Sequence, residues 1–175
     1  MVELYNQLIQ EINELRDISK QLTHLANVLE GIENSTNSQS PNIGIKVATI
    51  AYAKYGHVSN SGGKCLGAVE DILVASGINI PIEDRVTYAY QFPDAISNNN
   101  SFNKCYFKSD NLTLNLDTLP AGSIIVFNPI EGHIAGHIEI KIDPNIGPGY
   151  VSDYLQYSRK NYGGKKHPDF IFLPK

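Results

Sequence analysis

The stretch Ser59–Gly77, SNSGGKCLGAVEDILVASG, constrains this chain more than any other. A polar, glycine-rich approach runs to Lys64-Cys65 and passes directly into an apolar pattern that stops at Gly77. Val69, Ile72 and Leu73 follow Cys65 by four, seven and eight residues, so the cysteine heads the stripe that a helix turns to its core. A cysteine in a first helical turn lies among unpaired backbone N–H groups at the positive end of the helix dipole. That setting suits an anionic sulfur nucleophile. The competing reading is a small buried hydrophobe, the usual state of a free cysteine.

A chain of 175 residues holds one domain of ordinary size with an appendage, and its 42% hydrophobic content is that of a globular protein. A net charge of −4 argues against a nucleic-acid partner. The charge is uneven. Residues 1–40 carry six acidic against two basic side chains, whereas residues 41–175 carry twelve of each. Two cysteines, Cys65 and Cys105, allow one disulfide and no disulfide framework. No apolar run is long enough to span a bilayer. The opening MVELYNQLIQEINEL has neither a basic n-region nor an apolar h-region, so no signal peptide is expected.

Residues 2–33 read as one amphipathic helix. With Leu8 at position a of a heptad, the a and d positions run from Met1 to Ile32, and nine of the ten are apolar. The seam serves either its own domain or a second helix, in an oligomer or a delivery partner. A polar linker follows over 34–41. Ile45–Tyr55 and the Cys65 segment are expected helices, and 82–96 a further one broken at Pro93. The rest reads as strands: Phe102–Phe107, Ser123–Phe127 as a continuous buried run, His137–Ile142 as an alternating one, Tyr150–Tyr154 and Phe170–Leu173. Helices first and strands last make an α+β fold over 42–175.

A thiolate nucleophile needs a base within reach and a third group to orient that base. Of five histidines, His24, His57 and His167 fall in polar surroundings. His137 opens an alternating strand, sharing a face with Glu139 while Ile138 and Ile140 face the other way. It is the expected base, with His133 in reserve. If Ile142 pairs with Tyr150, Asp153 lies diagonal to His137 on the same face. A slip of one residue would present Ser152 and Tyr154 instead. The expected catalytic set is therefore Cys65, His137 and Asp153, with an aspartate at a turn or strand end as the competing account of the third.

The order of these parts resembles the NlpC/P60 and CHAP cysteine peptidases and amidases. The matching pieces are Gly63–Val69 (GKCLGAV), Leu119–Phe127 (LPAGSIIVF) and Gly136–Ile140 (GHIEI). The segment Tyr150–Gln156 (YVSDYLQ) is similar to one in CHAP-like members, including amidase effectors delivered by bacterial secretion machines. The resemblance spans about residues 42–175 and leaves the N-terminal helix unexplained. Ser123 stands where many members have aspartate, and Glu139 where many have a small residue.

The resemblance implies a papain-like α+β core that cleaves amide bonds of peptidoglycan stem peptides through an acyl-enzyme. It implies an oxyanion hole at the Cys65 N–H and no cofactor; the cysteine and histidine spacings are not those of a zinc site. Expected partners are a peptidoglycan peptide, an immunity or delivery protein, and another copy through the N-terminal helix. The expected site of action lies outside the cytoplasm of the cell that makes the protein, in a target periplasm or extracellularly. The alternatives are a non-catalytic binding module built around that helix, and an acyltransferase or deamidase using the same Cys–His pair.

Overall fold

In the computed structural model the described residues are 42–81, 86–96, 98–106, 115–157 and 168–175, together with Gln7, Glu11 and Ile12. The chain divides into two compact units, Met1–Ser40 and Pro41–Lys175. In the first, Gln7, Glu11 and Ile12 are helical. The rest of the expected 2–33 seam and the 34–41 linker lie outside the described residues.

The second unit is α+β. Helix α1, Ile43–Tyr55, begins two residues before the expected start because Asn42 caps it, its side-chain oxygen accepting the Gly44 N–H at 2.9 Å. Helix α2, Cys65–Ala75, buries Ala68, Val69, Ile72 and Leu73 and gives way to Gly77 at φ +82°. Within 82–96 only 86–96 are described. A 3-10 turn at Ala89–Gln91 leads into a short helix α3, Phe92–Ala95. Pro93 lies in the first turn of α3, where its missing N–H leaves no bond unmade, so the proline opens this helix instead of breaking one.

Among the described residues six strands form one antiparallel sheet: β1 Phe102–Tyr106, β2 Ile124–Phe127, β3 His137–Lys141, β4 Tyr150–Val151, β5 Leu155–Gln156 and β6 Phe170–Pro174, in the order β1-β6-β2-β3-β4-β5. Every residue of β2 is buried, as expected of a strand covered on both faces. Ile124 and Val126 join Ile138, Ile140 and Phe172 against Val47, Ala51, Val69 and Ile72 of α1 and α2. Ile125 and Phe127 join Tyr150 and Ile171 in a second cluster on the other face. Alternation along β3 puts His137, Glu139 and Lys141 on that second face. Gly122, at φ +77°, lets the turn into β2 close on α1, since a Cβ there would collide with the backbone of Gly44.

Two expectations about the last hairpin need correction. Tyr150 pairs with Lys141, not Ile142, and Val151 pairs with Ile140. The ladder gains a rung because the Gly149 carbonyl accepts the Ile142 N–H at 3.0 Å, so Gly149 belongs to the strand side and not to the turn. The expected strand over 150–154 stops at Val151. The chain bends through Ser152-Asp153-Tyr154 and returns as β5, pairing Tyr150 with Gln156 and Val151 with Leu155.

Candidate active site

The loop that delivers Cys65 is held from one point. Gly63 turns it at φ +73°, a left-handed conformation that favours glycine. The Asp153 carboxylate accepts the Gly62 and Lys64 N–H groups, each at 2.8 Å, and the Ser61 hydroxyl at 3.0 Å. Ser152 donates to its other oxygen at 3.2 Å. Asp153 is 7% exposed. Burial pushes its carboxyl up, but the donors from Lys64, Ser61 and Gly62 outweigh this and hold it below the usual aspartate range. Lys64, the N-cap of α2, makes no side-chain cap, so the first turn after the clamped loop keeps its N–H groups for another acceptor.

His137 belongs to a separate cluster. Its Nε2 lies 3.3 Å from Glu139 Oε2, and Gln156 donates to the same carboxylate oxygen at 3.0 Å. Gln156 Nε2 is also 3.4 Å from His137 Nε2. Glu139 is fully buried, and the imidazole sits beside Phe127 with 6.4 Å between ring centroids. A buried carboxylate against one ring nitrogen fixes the orientation and tautomer of an imidazole.

Of the three expected site residues, Asp153 is not on His137. Its oxygens are directed at the loop before Cys65, and Glu139 and Gln156 are the groups that the described contacts place on the histidine. The cause is the bend at 152–154, which carries Asp153 off the ladder and returns Gln156 to the β3 face. Gln156 is the residue that sequence reasoning missed. The signal for it was the Ser152-Asp153 pair, turn chemistry placed only two residues into a strand. Among the described residues no hydrogen bond joins Cys65 to His137. The two halves are linked through the 152–156 turn, whose Asp153 holds one loop and whose Gln156 holds the other cluster.

The remaining candidates lie elsewhere. His57 and His133 are exposed, His133 within a tight turn closed by bonds to Ile130. His24 and His167 fall outside the described residues. Cys65 and Cys105 are both free and half-buried, so the allowed disulfide is not formed. Among the described residues no group of three or more His, Cys, Asp or Glu side chains is placed to hold a metal ion, and no helix is long and apolar enough to cross a membrane. An open cleft of about 530 Å³ flanks the nucleophile loop and the first two turns of α2, with Tyr55, Asn60, Gly62, Gly67, Asp71 and Asp153 in its lining.

Fold and site define an α+β protein in which two helices cover one face of an antiparallel sheet and a cysteine opens the second of them. This fold is similar to that of a chain in the type VI effector–immunity complex Tae3-Tai3 from Ralstonia pickettii, with a TM-score of 0.53 and 23% identity over 74% of this chain and 99% of that one. At that identity the likeness is one of fold. No protein-family model and no curated protein matches the chain.

Proposed function

We propose that this chain is an antibacterial effector, a papain-like cysteine amidase or endopeptidase of the NlpC/P60 or CHAP type that cleaves amide bonds in peptidoglycan stem peptides. The observation that carries the reading is the 152–156 turn, which clamps the Cys65 loop with one residue and steadies the His137 cluster with another. The fold shared with a type VI effector–immunity complex supports delivery into a target periplasm and an immunity protein as partner.

In this mechanism Cys65 Sγ attacks the amide carbonyl carbon while His137 takes the thiol proton. His137 returns that proton to the leaving amine as the C–N bond breaks, giving a thioester. A water deprotonated by His137 then releases the acid and restores the thiol. The uncapped N–H groups of the first turn of α2 stabilise the tetrahedral oxyanion. Glu139 orients the imidazole and balances the positive charge it acquires, Gln156 holds the Glu139 carboxylate in place, and Asp153 positions the nucleophile loop. Proton transfer needs His137 within hydrogen-bond reach of Sγ; Cys65 packs against the helix-side cluster and His137 stands on the other face of β3, so the mechanism requires the end of β3 and the nucleophile loop to turn toward each other when substrate binds.

The test is mass spectrometry of purified peptidoglycan fragments after incubation with the wild-type protein and with Cys65→Ala. New amine and carboxyl termini with wild type alone are expected. Equal products from both proteins, or none from either, would refute the cysteine amidase.

A further inference from the structure

Strand β3 carries three ionisable side chains in a row on one face, His137, Glu139 and Lys141, and the last two are buried, at 0% and 4% exposure. A buried charge is costly unless an opposite charge answers it. Lys141 Nζ donates to the Ile142 carbonyl at 3.1 Å and lies 5.1 Å from the centroid of the Tyr150 ring. Among the described residues it forms no ion pair within 4 Å, so its charge is answered from further off.

Among the described residues, the other titratable groups that face this row are Tyr150 of β4, Asp117 of the 3-10 turn Leu116–Thr118, Asp169 just before β6 and Cys105 of β1. Asp117 is exposed and accepts the Tyr150 hydroxyl at 2.7 Å. Asp169 is half-buried and accepts the backbone and side-chain N–H groups of Asn128 at 2.7 and 3.0 Å. Glu139 is the fully buried carboxylate of this face, two residues from Lys141, and the same group that meets His137 and Gln156. A buried carboxylate beside an imidazole favours the imidazolium, and an imidazolium cannot take a thiol proton. A cation further along the same face opposes that charging. We infer that Lys141 balances the Glu139 carboxylate and so keeps His137 neutral at rest, a role that rests on His137 being the base of the proposed amidase. Lys141 is a positioning residue in this scheme: it acts through Glu139 and through the charge it adds to the row.

The test is the titration of His137 in the full-length protein, read from its ring Cε1–H NMR signal and assigned by the loss of that signal in His137→Gln. Lys141→Met removes the charge, keeps the side chain's length and suits a buried site. Lys141→Arg keeps the charge. The His137 midpoint should rise by about one pH unit in Lys141→Met, the size of one charge interaction across roughly 10 Å of protein. It should stay at the wild-type value in Lys141→Arg, and Glu139→Gln should lower it. The signal of the exposed His133 should hold its midpoint throughout, which a general loosening of the fold would not ensure. Should Lys141→Met fail to fold, Lys141→Gln carries the same expectation. A midpoint that is unmoved or lowered on loss of the charge, or that rises equally in Lys141→Arg, overturns the role of Lys141. Peptidoglycan cleavage measured against pH keeps the two ideas apart. Where wild type cleaves, the acid limb of the pH–rate profile should move up by the same amount in Lys141→Met. If wild type cleaves nothing yet the midpoint moves, the amidase fails and the charge balance stands. If cleavage is intact and the midpoint does not move, the role of Lys141 fails alone.

Discussion

Asp153 accepts the backbone N–H of Lys64 at 2.8 Å, one residue before Cys65, across 89 positions of sequence. The bond makes the aspartate a clamp on the nucleophile loop. Removing it leaves the Gly62 and Lys64 N–H groups and the Ser61 hydroxyl without their acceptor. Asp153→Ala should therefore lower stability by about 1–3 kcal/mol, the usual penalty for stranding partly buried donors. Asp153→Asn keeps one accepting oxygen and should lose less. Urea denaturation of the three proteins orders them.

The same carboxylate sets an acid dependence. Its folded-state pKa is depressed, because the donors of the clamp outweigh burial. Its stabilisation is then fully present above the unfolded aspartate value of about 3.9 and is lost as pH falls from there through the lower folded value. Below both values it contributes nothing. Melting temperature measured from pH 7 downwards should fall more steeply through this acid window in wild type than in Asp153→Asn. Parallel acid limbs would show that the clamp is not charged.

The histidine cluster gives a kinetic prediction. Under the proposed mechanism His137→Ala should lower kcat by about 10²–10⁴-fold, as loss of a general base does. Glu139→Gln and Gln156→Ala should lower kcat with little change in KM, since both touch the imidazole and not the cleft. His133→Ala should leave turnover unchanged. Steady-state rates on one stem-peptide substrate compare all four, and equal losses at His133 and His137 would reassign the base.

Gly122 tests the seam between α1 and the sheet. Alanine there must adopt a positive φ and displace the backbone of Gly44 at once. Gly122→Ala should cost more than about 1 kcal/mol, the level at which an incompatible backbone position outweighs the gain from a stiffer unfolded chain. Calorimetric melting checks it.

The N-terminal unit, Met1–Ser40, is proposed to serve partnership and not chemistry. The polar run read at 34–41 separates its heptad seam from the part that holds Cys65 and His137. A chain beginning at Pro41 should melt within about 2 °C of the full-length protein, equivalent to less than about 1 kcal/mol for a domain of this size. Light scattering before and after truncation reports any self-association that the 2–33 seam supports.

The sequence by itself determined the local elements. Spacing of Val69, Ile72 and Leu73 after Cys65 defined α2, because a helix face is a short-range pattern that its own residues repeat. The unbroken run at Ile124–Phe127 and the alternation at His137–Lys141 defined two central strands for the same reason. It also put Glu139 beside His137, since residues two apart on a strand share a face. What only the tertiary structure decided is how those pieces meet. Whether Gly149 is turn or strand moves the β3–β4 register by one residue, and nothing local to DPNIGPG selects between the two. The fate of Asp153 depended on donors at Gly62 and Lys64, some ninety residues away, which draw it out of the strand. Once it leaves, the chain must bend, and the bend brings Gln156 back to Glu139 and His137. A carboxylate chooses the site where the most N–H groups converge, and that convergence exists only after the helix, the loop and the sheet have packed.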